Sequence, residues 1–432
     1  MTIAQRVPDG GVWQMERRRV DFLEAPEVLW ELAPEQPAFL WSRGPEEIIV
    51  TSGVAQAFEA EGPDRFADVA QHLGREDLPP TLLVGGFSFD AAHKPVGEWA
   101  DFPSLSFHMP RIAILNRHGR SEIFAATRAA DESPKELLDG LEENLRQVAR
   151  RPRESRRSLD LHVRARESDA EWQQSVSGVL DEIARGQLEK LVLARAMHVS
   201  SGEEFDVLRL ARHLSAAHPQ ANVFAVRRNG STFLGASPET LARVEKRELT
   251  TAAVAGTARR GDGESEELAA AETLQKSEKE QHEHQLVVAD VLERVGPFCE
   301  EVTAHKAPET MSAGPVQHLR TPICGQLKQG VGFLDVVSTL HPTPALGGLP
   351  RAEVAAALRR HESSPRGWYG GGIGWIDGDE GEISVAIRTA LVQKCEATLH
   401  AGAGIVAGSE WTRELEETRL KMRTILEAFL EA

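Results

Sequence analysis

The chain has 432 residues, 41% of them apolar and 27% charged, which excludes a disordered or fibrous protein and allows a core large enough to fold without a metal or disulfide staple. With 66 acidic against 49 basic residues the net charge is −17, so neither nucleic acid nor an anionic membrane is expected as a partner. The three cysteines, Cys299, Cys324 and Cys395, are widely spaced and form no CxxC pair, so no disulfide framework or zinc site is expected and a cytoplasmic setting fits.

Residues 1–15 lack the basic start and apolar run of a signal peptide. No stretch approaches the roughly 18 apolar residues that a membrane helix requires. In chain order, 82–90 reads as a buried strand interrupted by Gly85 and Gly86. Segments 111–115 and 122–126 read as a hairpin about a polar turn, and 134–148 as a helix. The arginine-rich run 150–157, broken by Pro152, reads as a solvated linker. It divides an N-terminal scaffold part, 1–160, from a second part, 161–432, where chemical signals are denser. There 171–185 reads as an amphipathic helix and 188–199 as a strand with a polar start. Segments 224–226 and 232–234 flank the strong turn dipeptide Asn229-Gly230. One long helix is expected over 266–295 and a closing one over 412–430. Strands and helices mix without a regular βαβ alternation, so the expected class is α+β, with large antiparallel sheets packed by outer helices in a single large domain.

Two motifs mislead. Gly402-Ala403-Gly404-Ile405-Val406-Ala407 matches a dinucleotide fingerprint, but no second strand with an acidic end follows it. His282 and His284 are two apart, whereas two ligands on one helix face need a spacing of four.

Glu280 and Glu283 are three apart and share a helix face, which Val287 and Val291 extend toward the core. Glu414 and Glu417 repeat the spacing on the closing helix, with Lys421 four residues after Glu417. Either pair alone is ordinary in so acidic a chain. Two inward pairs are not, because buried carboxylates repel and call for a cation between them; oxygen-only ligands suit Mg²⁺. Lys190, at the start of an apolar strand, either snorkels outward or is held inward, where desolvation would make it a base. Glu239, after Pro238, is either an acid or a carboxylate favoured at a helix start.

The segments GQLEKLVLAR (186–195), FLGASPETL (233–241), AVAGTARRG (253–261), SEKEQHEH (277–284), LHPTPALGG (340–348) and GWYGGGIGWID (367–377) stand in order along the chain. VAIRTALV (385–392), AGAGIVAGS (401–409) and ELEETRLK (414–421) follow them. This ordered set resembles the chorismate-utilising enzymes and, within them, the isochorismate synthases; it spans most of 165–430, while the N-terminal part is less distinctive.

The resemblance implies the fold of those enzymes, chorismate as substrate and Mg²⁺ as cofactor. It implies Lys190 as the base that activates water and Glu239 as the acid that protonates the departing hydroxyl. By the same likeness Glu283 and Glu417 correspond to metal ligands, with Glu280 and Glu414 as their water-mediated partners. Arg388 corresponds to a clamp on a substrate carboxylate, a task suited to a planar guanidinium. Gly256, Thr257 and Gly402 would offer backbone N–H groups to the other carboxylate. His341, Ala345, Leu346, Tyr369 and Lys421 complete the expected substrate contacts. The roles of His341 and His318 stay open, and core packing accounts equally well for His318.

Ala255 stands where aminodeoxychorismate synthases carry a nucleophilic lysine, and Lys190 where anthranilate synthases carry glutamine. Both activities are therefore disfavoured. The expected reaction is conversion of chorismate to isochorismate, feeding menaquinone in preference to the alternative, a siderophore, with no obligatory protein partner, as a monomer or weak homo-oligomer. The alternatives are a salicylate synthase, which would also expel pyruvate, and a non-catalytic chorismate-binding protein.

Overall fold

The structure is a computed structural model that describes residues 2–6, 12–21, 23, 26–44, 46–73, 81–117, 119–128, 132–148, 159–261 and 263–431. Every strand pairing is antiparallel, and two curved arms diverge from the strand Leu105–Arg117. The first arm runs from it through Glu47–Ala60, Ala38–Arg43, Asn222–Arg228, Ser231–Ser237, Thr389–Gln393 and Glu396–Val406 to Lys190–Ser201. The second runs through Leu82–Phe87, Gly372–Asp377, Glu380–Val385, Thr240–Glu245 and Glu248–Arg259 to Val316–Leu327.

Alternation along the strands decides what each face buries. On Ala38–Arg43, Phe39 and Trp41 enter the core between the arms, while Ala38 and Leu40 enter a second core under the outer helices. Phe224 and Val226 face the first core and Val223 and Ala225 the second. Between the arms the rings meet edge to face, with Trp41 and Trp375 centroids 6.1 Å apart and those of Phe102 and Trp368 5.2 Å apart. Such pairs contribute about 0.5–1.5 kcal/mol beyond their buried area. Helices Val207–Ala217 and Trp411–Glu431 cover the first arm, Glu278–Val295 and Phe333–Leu340 the second, and Pro134–Val148 packs on the strands Arg120–Arg128 and Val12–Val20.

The N-terminal strands therefore belong to the same sheet system as the C-terminal ones: Leu82–Phe87 pairs with Gly372–Asp377, and Ala38–Arg43 with Asn222–Arg228. The arginine-rich run 150–157 lies outside the described residues. The hairpin expected at 111–126 is present as Leu105–Arg117 and Arg120–Arg128, and the helix Pro134–Val148 has the expected bounds. The helix expected over 266–295 is instead two, Glu264–Lys276 and Glu278–Val295. Ser277 breaks it: its backbone is extended (φ −71°, ψ 113°) and its hydroxyl accepts the N–H of Glu280, capping the second helix. All of the GAGIVA motif but its last residue, Ala407, lies in the interior antiparallel strand Glu396–Val406, which excludes a dinucleotide turn.

Candidate active site

One small cavity, of about 70 Å³, gathers side chains from both arms and two helices. The strand Lys190–Ser201 supplies Lys190, which is 1% exposed because its backbone is sandwiched between Val406 and Leu349. The snorkelling alternative is thereby excluded. Its Nζ donates to Glu283 Oε1 at 2.6 Å, on the helix Glu278–Val295. Gly404, next to Lys190 in space, leaves room for this pair: a Cβ there would stand 3.0 Å from Glu283 Oε1 and 3.2 Å from Lys190 Cε. On the closing helix, Lys421 donates to Glu417 at 2.6 Å and to the carbonyl of Gly402 at 2.9 Å.

Glu239 lies between the strands Ser231–Ser237 and Thr240–Glu245, so its helix-start alternative falls. Burial pushes its carboxyl up to about 7, against the moderating charges of Arg388, Lys421 and Lys190. Arg388 adopts a left-handed backbone (φ 53°), sparsely populated for a non-glycine residue, and is buried. Its Nε and Nη2 have no hydrogen-bond partner among the described residues, so two donors of a buried cation are available to a ligand. Tyr369 lines the same cavity, its ring stacked on His400 at 5.3 Å. Ala345, Leu346, Gly256, Thr257, Gly402, Glu283, Glu417 and His318 line it as well.

Three expected roles meet a different geometry. His341 is absent from this cavity's wall; its Nε2 bonds the carbonyl of Gly370 at 3.0 Å and it lines a larger neighbouring cavity. The Thr257 N–H is already donated to Glu280 Oε2 at 3.0 Å, so Glu280 holds the group assigned to a substrate carboxylate. Gly402 is paired within the sheet opposite Ala194. Two further residues escaped sequence reasoning. Arg366 is buried at the wall, tied to Glu362 and to the carbonyls of Leu346 and Val192; its only signal was adjacency to GWYGGG. Lys279 stands 3.6 Å from Glu280 and 3.7 Å from Glu414, bridging the two acidic pairs.

No three His, Cys, Asp or Glu side chains stand in metal-holding geometry among the described residues. The donor set nonetheless fits a hard divalent cation. Burial and the charge of Glu283 push Glu280 up, and burial and the charge of Glu417 push Glu414 up to about 7. Repulsion crosses the helices too, since Glu417 raises Glu280 and Glu283 raises Glu414. Burial would raise Glu283 as well, but Lys190, with Lys279 and Lys421, outweighs it and holds that carboxyl below its ordinary value. The four carboxylates thus act on one another across the two helices, partly offset by three lysines, and all the ligand atoms they offer are oxygens.

Glu239 gives a pH prediction of defined sign. Below pH 4.5 the group is protonated folded and unfolded alike. Between 4.5 and about 7 the unfolded chain ionises while the folded one keeps its proton, so stability falls as pH rises and levels off above that window. The whole span is about 3 kcal/mol. Thermal midpoints of metal-free wild type and Glu239→Gln should therefore diverge in the variant's favour from pH 4.5 to 7 and then stay parallel. A difference independent of pH would show that Glu239 does not hold its proton.

The profile of the family described as chorismate binding enzyme matches residues 12–430. The chain is 33% identical over 407 residues to the salicylate biosynthesis isochorismate synthase of Pseudomonas aeruginosa, covering 91% of this chain and 85% of that one. It is 32% identical over 374 residues to isochorismate synthase MenF of Bacillus subtilis, covering 84% and 79%. Among solved structures, the menaquinone-specific isochorismate synthase MenF of Escherichia coli superposes with a TM-score of 0.81 at 25% identity, over 100% of this chain and 96% of that one. Anthranilate synthase component I of Streptococcus pneumoniae shares the fold, with a TM-score of 0.66 at 20% identity over 98% and 90% of the two chains.

Proposed function

The chain belongs to the chorismate-binding enzymes, and from that premise we propose that it is an isochorismate synthase, an isomerase that adds water at C2 of chorismate and removes the C4 hydroxyl. One observation carries the reading: a buried carboxyl that keeps its proton to about pH 7 shares a cavity with a buried lysine and a buried arginine with two open donors.

Arg388 takes a substrate carboxylate through Nε and Nη2, which satisfies both its own donors and the dianion in a protein of net charge −17. Lys190, released from Glu283 and having given its own proton to solvent, takes a proton as the neutral amine from the water that attacks C2. The ring double bonds shift, and Glu239 gives its proton to the C4 hydroxyl, which leaves as water. Water enters and water leaves, so no redox partner is needed. A positioned base and a positioned acid each contribute about 10²–10⁴-fold. Tyr369 and Leu346 border the ring and keep bulk water out. Glu283 and Glu417, supported by Glu280 and Glu414, would hold Mg²⁺, which supplies fixed positive charge for the second carboxylate. At about 70 Å³ the cavity lies below the roughly 300–1,000 Å³ of small-molecule sites, so substrate entry requires its ion-paired side chains to part. The relatives' names divide among salicylate, menaquinone and 2,3-dihydroxybenzoate pathways, and we favour menaquinone on the MenF likenesses.

Labelled water tests the reaction itself. In ¹⁸O-water, one label should appear on the C2 hydroxyl of isochorismate with the enolpyruvyl group still attached. Release of pyruvate with an aromatic product would make the protein a salicylate synthase. Isochorismate without solvent label would mean an intramolecular shift, leaving Lys190 no water to activate.

A further inference from the structure

Beside the reaction cavity lies a larger one, of about 640 Å³, between the helices Arg65–Leu73 and Arg351–His361 and the segment 89–96. Its size falls within the roughly 300–1,000 Å³ range of small-molecule sites. Phe66, Phe89, Val354 and Leu358 give it an apolar wall. Five cationic side chains line it against two carboxylates, Asp90 and Glu362, a positive excess in a protein of net charge −17.

Two of those cations are answered within the protein, Arg351 by Asp290 and Arg366 by Glu362. Arg65 is not. It is 2% exposed, and its guanidinium bonds to Ser88, Ser104 and backbone carbonyls rather than to a carboxylate. Its Nε has no partner among the described residues. Burial lowers this arginine to about 10, which still leaves it charged at neutral pH. A buried charge that makes no ion pair and is moderated only by the field of Asp90 is costly, and an anion in the adjoining space would relieve that cost. At the mouth, Lys94 and Arg359 are exposed, the latter 3.9 Å from Asp90.

We propose that this cavity is a second ligand site, which takes a small cyclic carboxylate and is coupled to the reaction cavity through Glu362 and Arg366. The apolar wall receives the ring, and Arg65, Lys94 and Arg359 meet the charge. The coupling is a direct chain of contacts. Glu362 lines the second cavity and accepts the N–H of Ala194 at 2.7 Å, on the strand that carries Lys190. Arg366 lines both cavities, and its donors hold the carbonyl of Val192 at 2.6 Å and that of Leu346 at 2.9 Å, both residues of the reaction cavity. An anion beside Arg366 competes with Glu362 for the guanidinium, and a shift in that pair reaches the wall of the reaction cavity.

The binding claim does not depend on which reaction the protein catalyses. It can be tested by calorimetric titration with benzoate, and with benzamide as the neutral counterpart. Benzoate should bind wild type and Arg388→Gln alike, which separates this site from the reaction cavity, and benzamide should bind about tenfold more weakly. Ala355→Trp, at an exposed lip position, should fill the mouth and weaken benzoate about tenfold while leaving turnover without benzoate unchanged. Lys94→Gln and Arg359→Gln should each weaken it by up to roughly fivefold. Saturating benzoate should change kcat/KM for the substrate by about twofold or more in wild type and not in Ala355→Trp. Absence of benzoate binding, or binding lost in Arg388→Gln but kept in Ala355→Trp, overturns the site; binding without any change in kcat/KM overturns the coupling.

Discussion

Lys190→Gln is expected to lower kcat by about 10²–10⁴-fold while leaving KM within a few-fold of wild type. The lysine is assigned to the attacking water and not to the ring, so its loss removes a transition-state contribution and spares ground-state binding. Glutamine keeps a neutral N–H donor, one bond shorter in reach, for Glu283, which otherwise loses a partner at 2.6 Å. Truncation to alanine would confound the result, since leaving one member of a buried ion pair alone costs about 3–5 kcal/mol. Lys190→Arg supplies the complementary control. It retains the charge beside Glu283 but cannot serve as a base, because the guanidinium stays protonated. If the lysine acts only as a counter-ion, arginine should restore most of the activity; if it acts as the base, arginine should be as slow as glutamine. A Lys190→Gln enzyme within tenfold of wild type would remove Lys190 from the chemistry.

How far the sequence led depended on the range of the interaction concerned. Hairpins with local turn signals, such as Asn222–Arg228 and Ser231–Ser237 about Asn229-Gly230, were legible because their determinants are a few residues apart. The break at Ser277 was not, since SEKEQ continues a helical composition and only the capping hydroxyl reveals the new start. The pairing of Leu82–Phe87 with Gly372–Asp377 left no local trace, so the N-terminal part read as scaffold when its strands share a sheet with the site-bearing ones. Spacing alone placed Glu280 and Glu283 on one face, but an E-x-x-E pair is commonplace in this composition. The ordered motifs, and not periodicity, singled out these glutamates together with Lys190, Glu239 and Arg388. What no motif carried was convergence. Lys279 reaches Glu414 across 135 positions only because two helices meet, and Arg366 reaches Val192 and Leu346 only through the fold. His341 marks the opposite failure: it sits within a diagnostic motif, yet its ring is turned onto Gly370 and the neighbouring cavity.

Removal of the divalent cation is expected to be the most severe perturbation of all. With excess chelator, activity should fall by about 10³-fold or more and return on addition of Mg²⁺, since a bound cation contributes several kcal/mol of charge stabilisation. Glu283→Ala and Glu417→Ala should each reproduce the loss, and added Mg²⁺ should not rescue them. Activity alone would not separate a ligand from a residue that merely positions Lys190 or Lys421, because those lysines hold the same carboxylates at 2.6 Å. Stability makes the distinction. A cation that binds the folded chain and not the unfolded one raises the thermal midpoint with concentration. Mg²⁺ should therefore raise it in wild type, and in Lys190→Gln, where all four carboxylates remain, but not in Glu283→Ala or Glu417→Ala. The alanine variants should stay folded but, without metal, should be less stable than wild type, because each strips a lysine, Lys190 or Lys421, of its ion-pair partner. Full activity in excess chelator, or an unchanged response to Mg²⁺ in both alanine variants, would mean that the two acidic pairs serve the lysines and hold no metal.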